Sequence, residues 1–337
     1  MANLALTDFN DFADLISRQY TDDLESIKSS MEESGMVKTT VVPRGSGETR
    51  RHKEHPHKNQ YASYKAEGAQ SVAINNQVGY YKDTFSKTFS SQITITLEMR
   101  ELGKDQDIIR SMTDLTSLAP NRIDLDLSLR LSFMTATSYT DRDGQTVDTS
   151  IGDGYALAYT AHTLTGSATT ARNRLAGNPQ LSRGAIENME YLGVTEMFNN
   201  LGEQIMMEYD VLWTTDNPNT VNTAREILQS TAEISAPNAG VINVYKAKYR
   251  HVVLPRSYMN AAGVKQSSKA KYWGLASTRS SSFFRDVYIQ PFLTMPREGS
   301  NGEDINTLDW TFTTTYADSN AIVDYRWFLA SSGDAAA

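Results

Sequence analysis

Along residues 84 to 99 the large apolar side chains, Phe85, Phe89, Ile93, Ile95, Leu97 and Met99, all fall on odd positions. Ser86, Thr88, Ser90, Gln92, Thr94, Thr96 and Glu98 stand between them. Alternation of this kind gives a strand one apolar and one wet face. A strand from Thr84 to Met99 would run about 50 Å at about 3.3 Å per residue, against about 5 or 6 residues for an ordinary one. Part of it is therefore expected to reach beyond its own domain. The preceding limb is less regular, with Thr39 to Val42 ended by Pro43 and a second run at Val72, Ile74, Val78 and Tyr80. Residues 36 to 100 read together as an extended two-stranded loop.

Between its runs lies RGSGETRRHKEHPHKNQ, residues 44 to 60, without a large apolar residue. Such a segment cannot bury enough surface to offset the entropy of its own ordering, and it is expected to be a basic loop tip. Arg44, Arg50, Arg51, Lys53 and Lys58 against Glu48 and Glu54 give +3, inside a chain of net charge −8. Upstream, Phe9, Phe12, Ile16, Tyr20, Leu24, Ile27 and Met31 recur at spacings of three and four. They predict one amphipathic helix over 7–33, capped by Thr7 or Asp8 and ended by Gly35. Eight acidic residues against two basic ones in the first 35 residues give −6. This charge is either a solvated helix face or a docking arm for the basic loop of another copy.

Downstream, Ile108, Ile109, Met112, Leu115 and Leu118 predict a helix from Asp105, interrupted at Pro120. Ile123, Leu125, Leu127, Leu129, Leu131 and Phe133 then alternate with Asp124, Asp126, Ser128, Arg130 and Ser132, a strand on periodicity alone. Residues 141–154 form a turn-rich loop. A helix follows from Ser182 through Leu201, then a strand over 205–213 and a short helix led by Asn217 and Pro218 to about Gln229. Strands are expected over 241–245, 249–254, 284–292, 309–316 and 321–329. The mixed order, without regular βαβ alternation, predicts an α+β protein.

The composition, 39% hydrophobic and 21% charged over 337 residues, is that of a folded protein of two or so domains. The absence of cysteine removes disulfides, thiolate nucleophiles and Cys-ligated metals. The amino terminus lacks the pattern of a signal peptide, and a pI near 5.2 argues against a dedicated DNA binder. His52, His55 and His57 have no recognised ligand spacing and sit among cations. Asp141, Asp143 and Asp148 lack the calcium-loop order. Asp124 and Asp126 form a D-x-D pair without a glycine phosphate loop. Only His162 and His251 remain as candidate bases, with no nucleophile elbow. No catalytic, cofactor or metal site is expected. A metal-dependent enzyme using the aspartates or the histidine cluster is the remote alternative.

Several blocks carry a resemblance. They are GDGYALAYTAHTLTGSATTARN at 152–173, NPNTVNTAREILQS at 217–230, VINVYKAKYRHVVLP at 241–255, YWGLAS at 272–277 and AIVDYRWFLAS at 321–331. In this order they resemble the major head subunit of tailed double-stranded DNA phages, close to the Mu-like group. The resemblance implies the Hong Kong ninety-seven type capsid fold. That divides the chain into an N-terminal arm (1–35), an extended loop (36–100), a peripheral domain with a spine helix (101–200), an axial domain (201–283) and return strands with the tail (284–337). It also implies that 105–139 is helical throughout, Ile123, Leu127, Leu131 and Met134 lining one face and Leu125, Leu129 and Phe133 another. Helix is therefore preferred there.

The implied function is a structural capsid protein, not an enzyme, assembling as hexamers and pentamers of an icosahedral shell around double-stranded DNA in the host cytoplasm. It would enclose the DNA without sequence-specific binding and meet scaffold, portal or decoration proteins, but no membrane. Another virion component, of the tail or a decoration, is the alternative. The resemblance further implies that the apolar alternating face of the loop lies across an adjacent subunit, with inter-subunit contacts at Arg44, Arg50, Arg51, Lys53 and Lys58 of the loop and at Phe9, Phe12, Ile16 and Tyr20 of the arm.

Overall fold

The computed structural model describes residues 17–18, 20–22, 29–55, 57–74, 76–102, 105–231, 242–257, 260, 264–279, 282–294 and 309–334. Its frame is two four-stranded sheets. The first holds β1 (Val37–Val41), β6 (Lys87–Ile95), β12 (Phe283–Thr294) and β13 (Trp310–Ile322) in the order β1-β12-β13-β6. The second holds β9 (Val211–Thr215), β10 (Arg250–Leu254), β11 (Trp273–Ala276) and β14 (Phe328–Ser331) in the order β10-β9-β11-β14. β1 pairs in parallel with β12 and β10 in parallel with β9, whereas the remaining pairs in both sheets are antiparallel. One continuous core links the two sheets through Trp213, Trp273, Leu275, Phe283, Phe328 and Leu329.

Both roots of the extended loop are edge strands of the first sheet. β6 keeps the period-two pattern: Ile95 is buried and Phe89 and Ile93 half-buried, with Thr88, Ser90, Gln92 and Thr94 exposed. Over β6 the apolar face is covered within the chain, whereas Phe85, before it, is exposed. Ile95 packs with Phe312, Ile108, Met112 and Leu115, and Phe89 stacks on Tyr316 with ring centroids 5.0 Å apart. The expected 50 Å strand is also broken. Ser86 lies outside the ladders with its N–H on Glu48, and the Thr96 hydroxyl accepts from the Met99 N–H and starts α2 (Leu97–Glu101). Leu97 and Met99 are thus helical.

α3 (Asp105–Ser132) carries Pro120 inside it and continues through the alternating stretch. The strand reading fails because both apolar sets are covered. Ile123, Leu127, Leu131 and Met134 enter the main core, while Leu125 and Leu129 form a second cluster with Tyr139 and Val147. Tyr139 and Val147 belong to the hairpin β7 (Ser138–Thr140) and β8 (Thr146–Asp148), so part of the predicted loop over 141–154 is strand. Pro120 leaves the Thr116 carbonyl without its helical donor. One residue on, Arg256 donates to the Asn121 carbonyl at 3.2 Å and to its side-chain oxygen at 3.0 Å.

The amino-terminal helix does not run unbroken to residue 33. Ser29 is extended, and its hydroxyl accepts from Glu32 N–H to cap a separate short helix, α1 (Ser30–Glu33). α4 (Arg183–Thr195) starts at its Ser182 cap as expected and stops short of Met197 and Leu201. α5 (Pro218–Gln229) has Asn217 as its cap and proline in its first turn. The strand expected over 205–213 is displaced to Val211–Thr215, and Tyr245 lies in a turn rather than a strand. Pro291 is tolerated in β12 because it lies beyond the last residue paired with β1, beside a register shift.

Candidate functional site

The extended loop is a narrow antiparallel ribbon. β2 (Thr49–Lys53) pairs with β5 (Tyr81–Phe85), and farther out β3 (His57–Lys58) pairs with β4 (Asn76–Gln77). Every residue from 61 to 74 is exposed, with Tyr61 at 75% and Tyr64 at 92%. Residues 44–60 are therefore the outgoing limb, and the far end of the ribbon is the more apolar 61–74.

The limb is anchored by charges its composition makes look free. Arg50 donates to Asp286 at 2.7 Å, and His52 lies 2.5 Å from the other oxygen of the same carboxylate while stacking on Phe284 at 4.4 Å. Arg51 forks onto Asp83 across the ribbon at 2.7 and 2.8 Å and covers the Tyr81 ring. Glu54 turns inward to an ion pair with Arg326, and it also accepts from Asn200 at 3.1 Å and from the Tyr80 N–H at 2.9 Å. Arg326 donates further to Asp324 at 3.1 Å, Asn200 at 2.8 Å and the Phe198 carbonyl at 2.7 Å. Burial pulls the Arg326 guanidinium down to about 9 and pushes the Asp324 carboxyl up to about 7.

The returning limb lies on the segment 152–166. A Cβ on Gly152 would stand 3.0 Å from that of Tyr80, and one on Gly166 would meet Gln77 at 3.0 Å and the Asn200 carbonyl at 2.7 Å. The Tyr80 and Thr163 hydroxyls bond at 2.9 Å, Thr165 donates to the Val78 carbonyl at 2.9 Å, and Lys82 pairs with Asp148 and reaches Ser150 at 2.8 Å. His162, a candidate base in the sequence, holds this track in shape. It bonds Asp153 at 2.7 Å and Asn173 at 3.1 Å and stacks on Tyr325 at 3.9 Å, while Asn173 donates to the Leu157 and Phe328 carbonyls. His251 bonds Thr214 at 2.9 Å.

Of the five loop cations singled out, Arg50 and Arg51 are engaged within the chain. Arg44, Lys53 and Lys58 are exposed, without an ion pair among the described residues. Tyr20 is buried, its hydroxyl 2.5 Å from that of Thr314 in β13, and Phe9, Phe12 and Ile16 lie outside the described residues. Asp124 and Asp126 are not brought together. Asp124 accepts from Ser29 and the N–H groups of Ser30 and Met31. Asp126 pairs with Arg122 at 2.9 Å and is pushed up to about 6 by burial, against the pull of Arg122 and with help from Asp318 and Asp141. His52 is buried and His55 exposed. Among the described residues no cluster of three or more His, Asp or Glu could hold a metal ion.

Sequence reasoning missed Glu54, Asn200 and Arg326 as ribbon anchors, Gly79 as the point where the limbs pass closely, and Asn173 as a support of the track beneath. The available signal was an acid alone within the basic run 50–58, which calls for a cation elsewhere.

No protein-family model matches the sequence, and no curated protein matches it. Among solved structures, the capsid of Ralstonia phage GP4 is similar at 12% identity, covering 88% of this chain and 87% of that one, with a TM-score of 0.52. The capsid of Myoviridae Phage XM1 is similar at 10% identity, 88% and 90% coverage and a TM-score of 0.49. A chain of Gordonia phage Cozz is similar at 12% identity, 90% and 86% coverage and a TM-score of 0.48. At such identities the GP4 likeness is one of fold: two mixed sheets, a long helix and a projecting ribbon make this chain an α+β protein with the fold of a phage capsid.

Proposed function

We propose that this chain is the major capsid protein of a tailed double-stranded DNA phage, assembling into hexamers and pentamers of an icosahedral shell around the genome. The observation that carries this reading is the likeness to the GP4 capsid over most of both chains. In the Hong Kong ninety-seven type reading α3 is the spine helix of the peripheral domain, 201–283 the axial domain, 1–35 the arm and 36–100 the extended loop. The exposed ribbon end supports it: Tyr61, Tyr64, Val72 and Ile74 present apolar surface that a lone chain leaves in water. In a shell the same surface is an interface repeated around each ring, where modest contacts add by multivalency. The free cations Arg44, Lys53 and Lys58, rather than Arg50 and Arg51, are the basic contacts toward acidic surface on a neighbour, with the arm as a second contact. A chain of net charge −8 also avoids adhering to the DNA it encloses. Assembly takes place in the host cytoplasm, and scaffold, portal and decoration proteins are the expected partners.

Electron microscopy of the purified full chain tests the reading. Closed shells of uniform diameter are expected; a protein that stays monomeric under all assembly conditions overturns it. Reversing Arg44, Lys53 and Lys58 to glutamate is expected to lower shell yield roughly tenfold while leaving the melting curve unchanged, because exposed charges steer association more than they stabilise a fold.

A further inference from the structure

Arg326 is 1% exposed and Glu54 6% exposed, and their contact is where the ribbon meets two separate segments of the body. The guanidinium reaches Glu54 on the outgoing limb, Asn200 and the Phe198 carbonyl after α4, and Asp324 just before β14. The Glu54 carboxylate in turn accepts from the Tyr80 N–H, so it ties down the returning limb as well. Gly79 makes this crossing possible, since a Cβ there would stand 2.4 Å from a Glu54 oxygen. Beyond this point the ribbon touches the body through fewer and less buried groups, the Val78 carbonyl on Thr165, Gln77 beside Gly166, and Asn59 and Gln60 on Glu203 and Gln204.

We propose that Arg326 is the positioning residue of the ribbon, a fixed pivot that holds both limbs at Glu54 and sets the direction in which 61–74 leaves the body. Buried ion pairs add little net stability compared with an apolar replacement, but they specify geometry, and the planar fork of arginine does so better than a point charge. The pivot gives the ribbon one rigid crossing and a looser outer arm. A subunit serving both hexamers and pentamers would adjust the outer arm without opening the crossing. That use rests on the capsid reading; the pivot itself does not.

Trypsin digestion of the unassembled full chain tests it, with cleavage after Lys65 at the exposed end as internal reference for cleavage after Lys53 beside the pivot. In Glu54→Leu/Arg326→Met, which strands neither Glu54 nor Arg326 without its partner, the Lys53-to-Lys65 cleavage ratio is expected to rise roughly tenfold, because cleavage follows local opening. The melting midpoint is expected to fall, since Asp324, Asn200 and the Phe198 carbonyl lose a donor; the ratio, referenced to Lys65, separates local opening at the pivot from that global loss. Glu54→Gln, which keeps the shape and loses the charge, should raise the ratio roughly threefold, and it decides the matter if the double variant does not fold. An unchanged ratio in the folded variants overturns the proposal.

Discussion

β6 and the second half of α3 share a sequence pattern, large apolar residues only on odd positions and polar residues on every even one, and they fold differently. On β6 the even positions Thr88, Ser90, Gln92 and Thr94 all face water. On α3 the even positions are sheltered, and all but Ser128 are bonded. Asp124 caps α1, Asp126 pairs with Arg122, Arg130 reaches Asn320, and Ser132 donates to the Ser257 carbonyl. Alternation therefore specifies a strand only where one side is wet. Where both sides are covered, the same residues wrap as a helix whose apolar stripe is split between two clusters.

The largest expected effects test whether α3 is buried on two sides. Leu127→Ala, in the main core, and Leu129→Ala, in the cluster with Tyr139 and Val147, should each cost about 2–5 kcal/mol in urea unfolding, since both side chains are almost fully buried. Ile93→Ala on half-buried β6 should cost about 1 kcal/mol, in proportion to the smaller area it removes from water. A Leu129 variant as mild as the Ile93 one would mean that the second face of α3 is wet, and the contrast would collapse.

Arg130→Met is next. Its guanidinium donates to the Asn320 side chain at 2.6 Å, the Asn320 carbonyl at 2.8 Å and the Asp148 carbonyl, so it ties α3 to β13 and to the hairpin. Removing it leaves acceptors in partly buried places unpaired, and about 2 kcal/mol of stability should be lost in the same assay.

These contrasts also explain what the chain discloses in one dimension. Helix caps at Ser182 and Asn217, the strands near 250–254 and 284–292, and the existence of the ribbon follow from local signals that contacts reinforce. The helical state of 123–132 does not, because it depends on Tyr139 and Val147 arriving from a hairpin with only three residues in each strand. The anchors were hidden for the same reason. Arg50, His52 and Glu54 look like a solvated basic run until Asp286 and Arg326, more than 230 positions away, come beside them. Opposite charges that distant leave no periodicity to detect.

The titration of Asp126 sharpens the comparison further, since no polar group of β6 is comparably shielded. Its folded pKa of about 6 lies above the ordinary carboxylate value, so the folded state keeps a proton that the unfolded state has released. Its contribution to stability is full below about pH 4 and is lost as pH rises toward 6, on the order of 2 kcal/mol in all. Asp126→Asn should flatten the melting temperature between pH 4 and 6 relative to the wild type. An unchanged slope would mean that Arg122 keeps this carboxylate ionised throughout.

The smallest effect has the most diagnostic sign. Ser128 is fully buried on α3, and its hydroxyl has no hydrogen-bond partner among the described residues. Ser128→Ala removes an unsatisfied group and improves helix propensity, so it should raise stability by about 0.5–1 kcal/mol. The matching change on the strand, Ser90→Ala, removes a hydroxyl that faces water and lies 3.3 Å from that of Thr315. Alanine is also a poorer strand residue, so Ser90→Ala should be neutral or lose up to about 0.5 kcal/mol. Two serines at equivalent places in one repeating pattern would then respond with opposite signs, as they should if water, and not periodicity, decides which structure the pattern encodes.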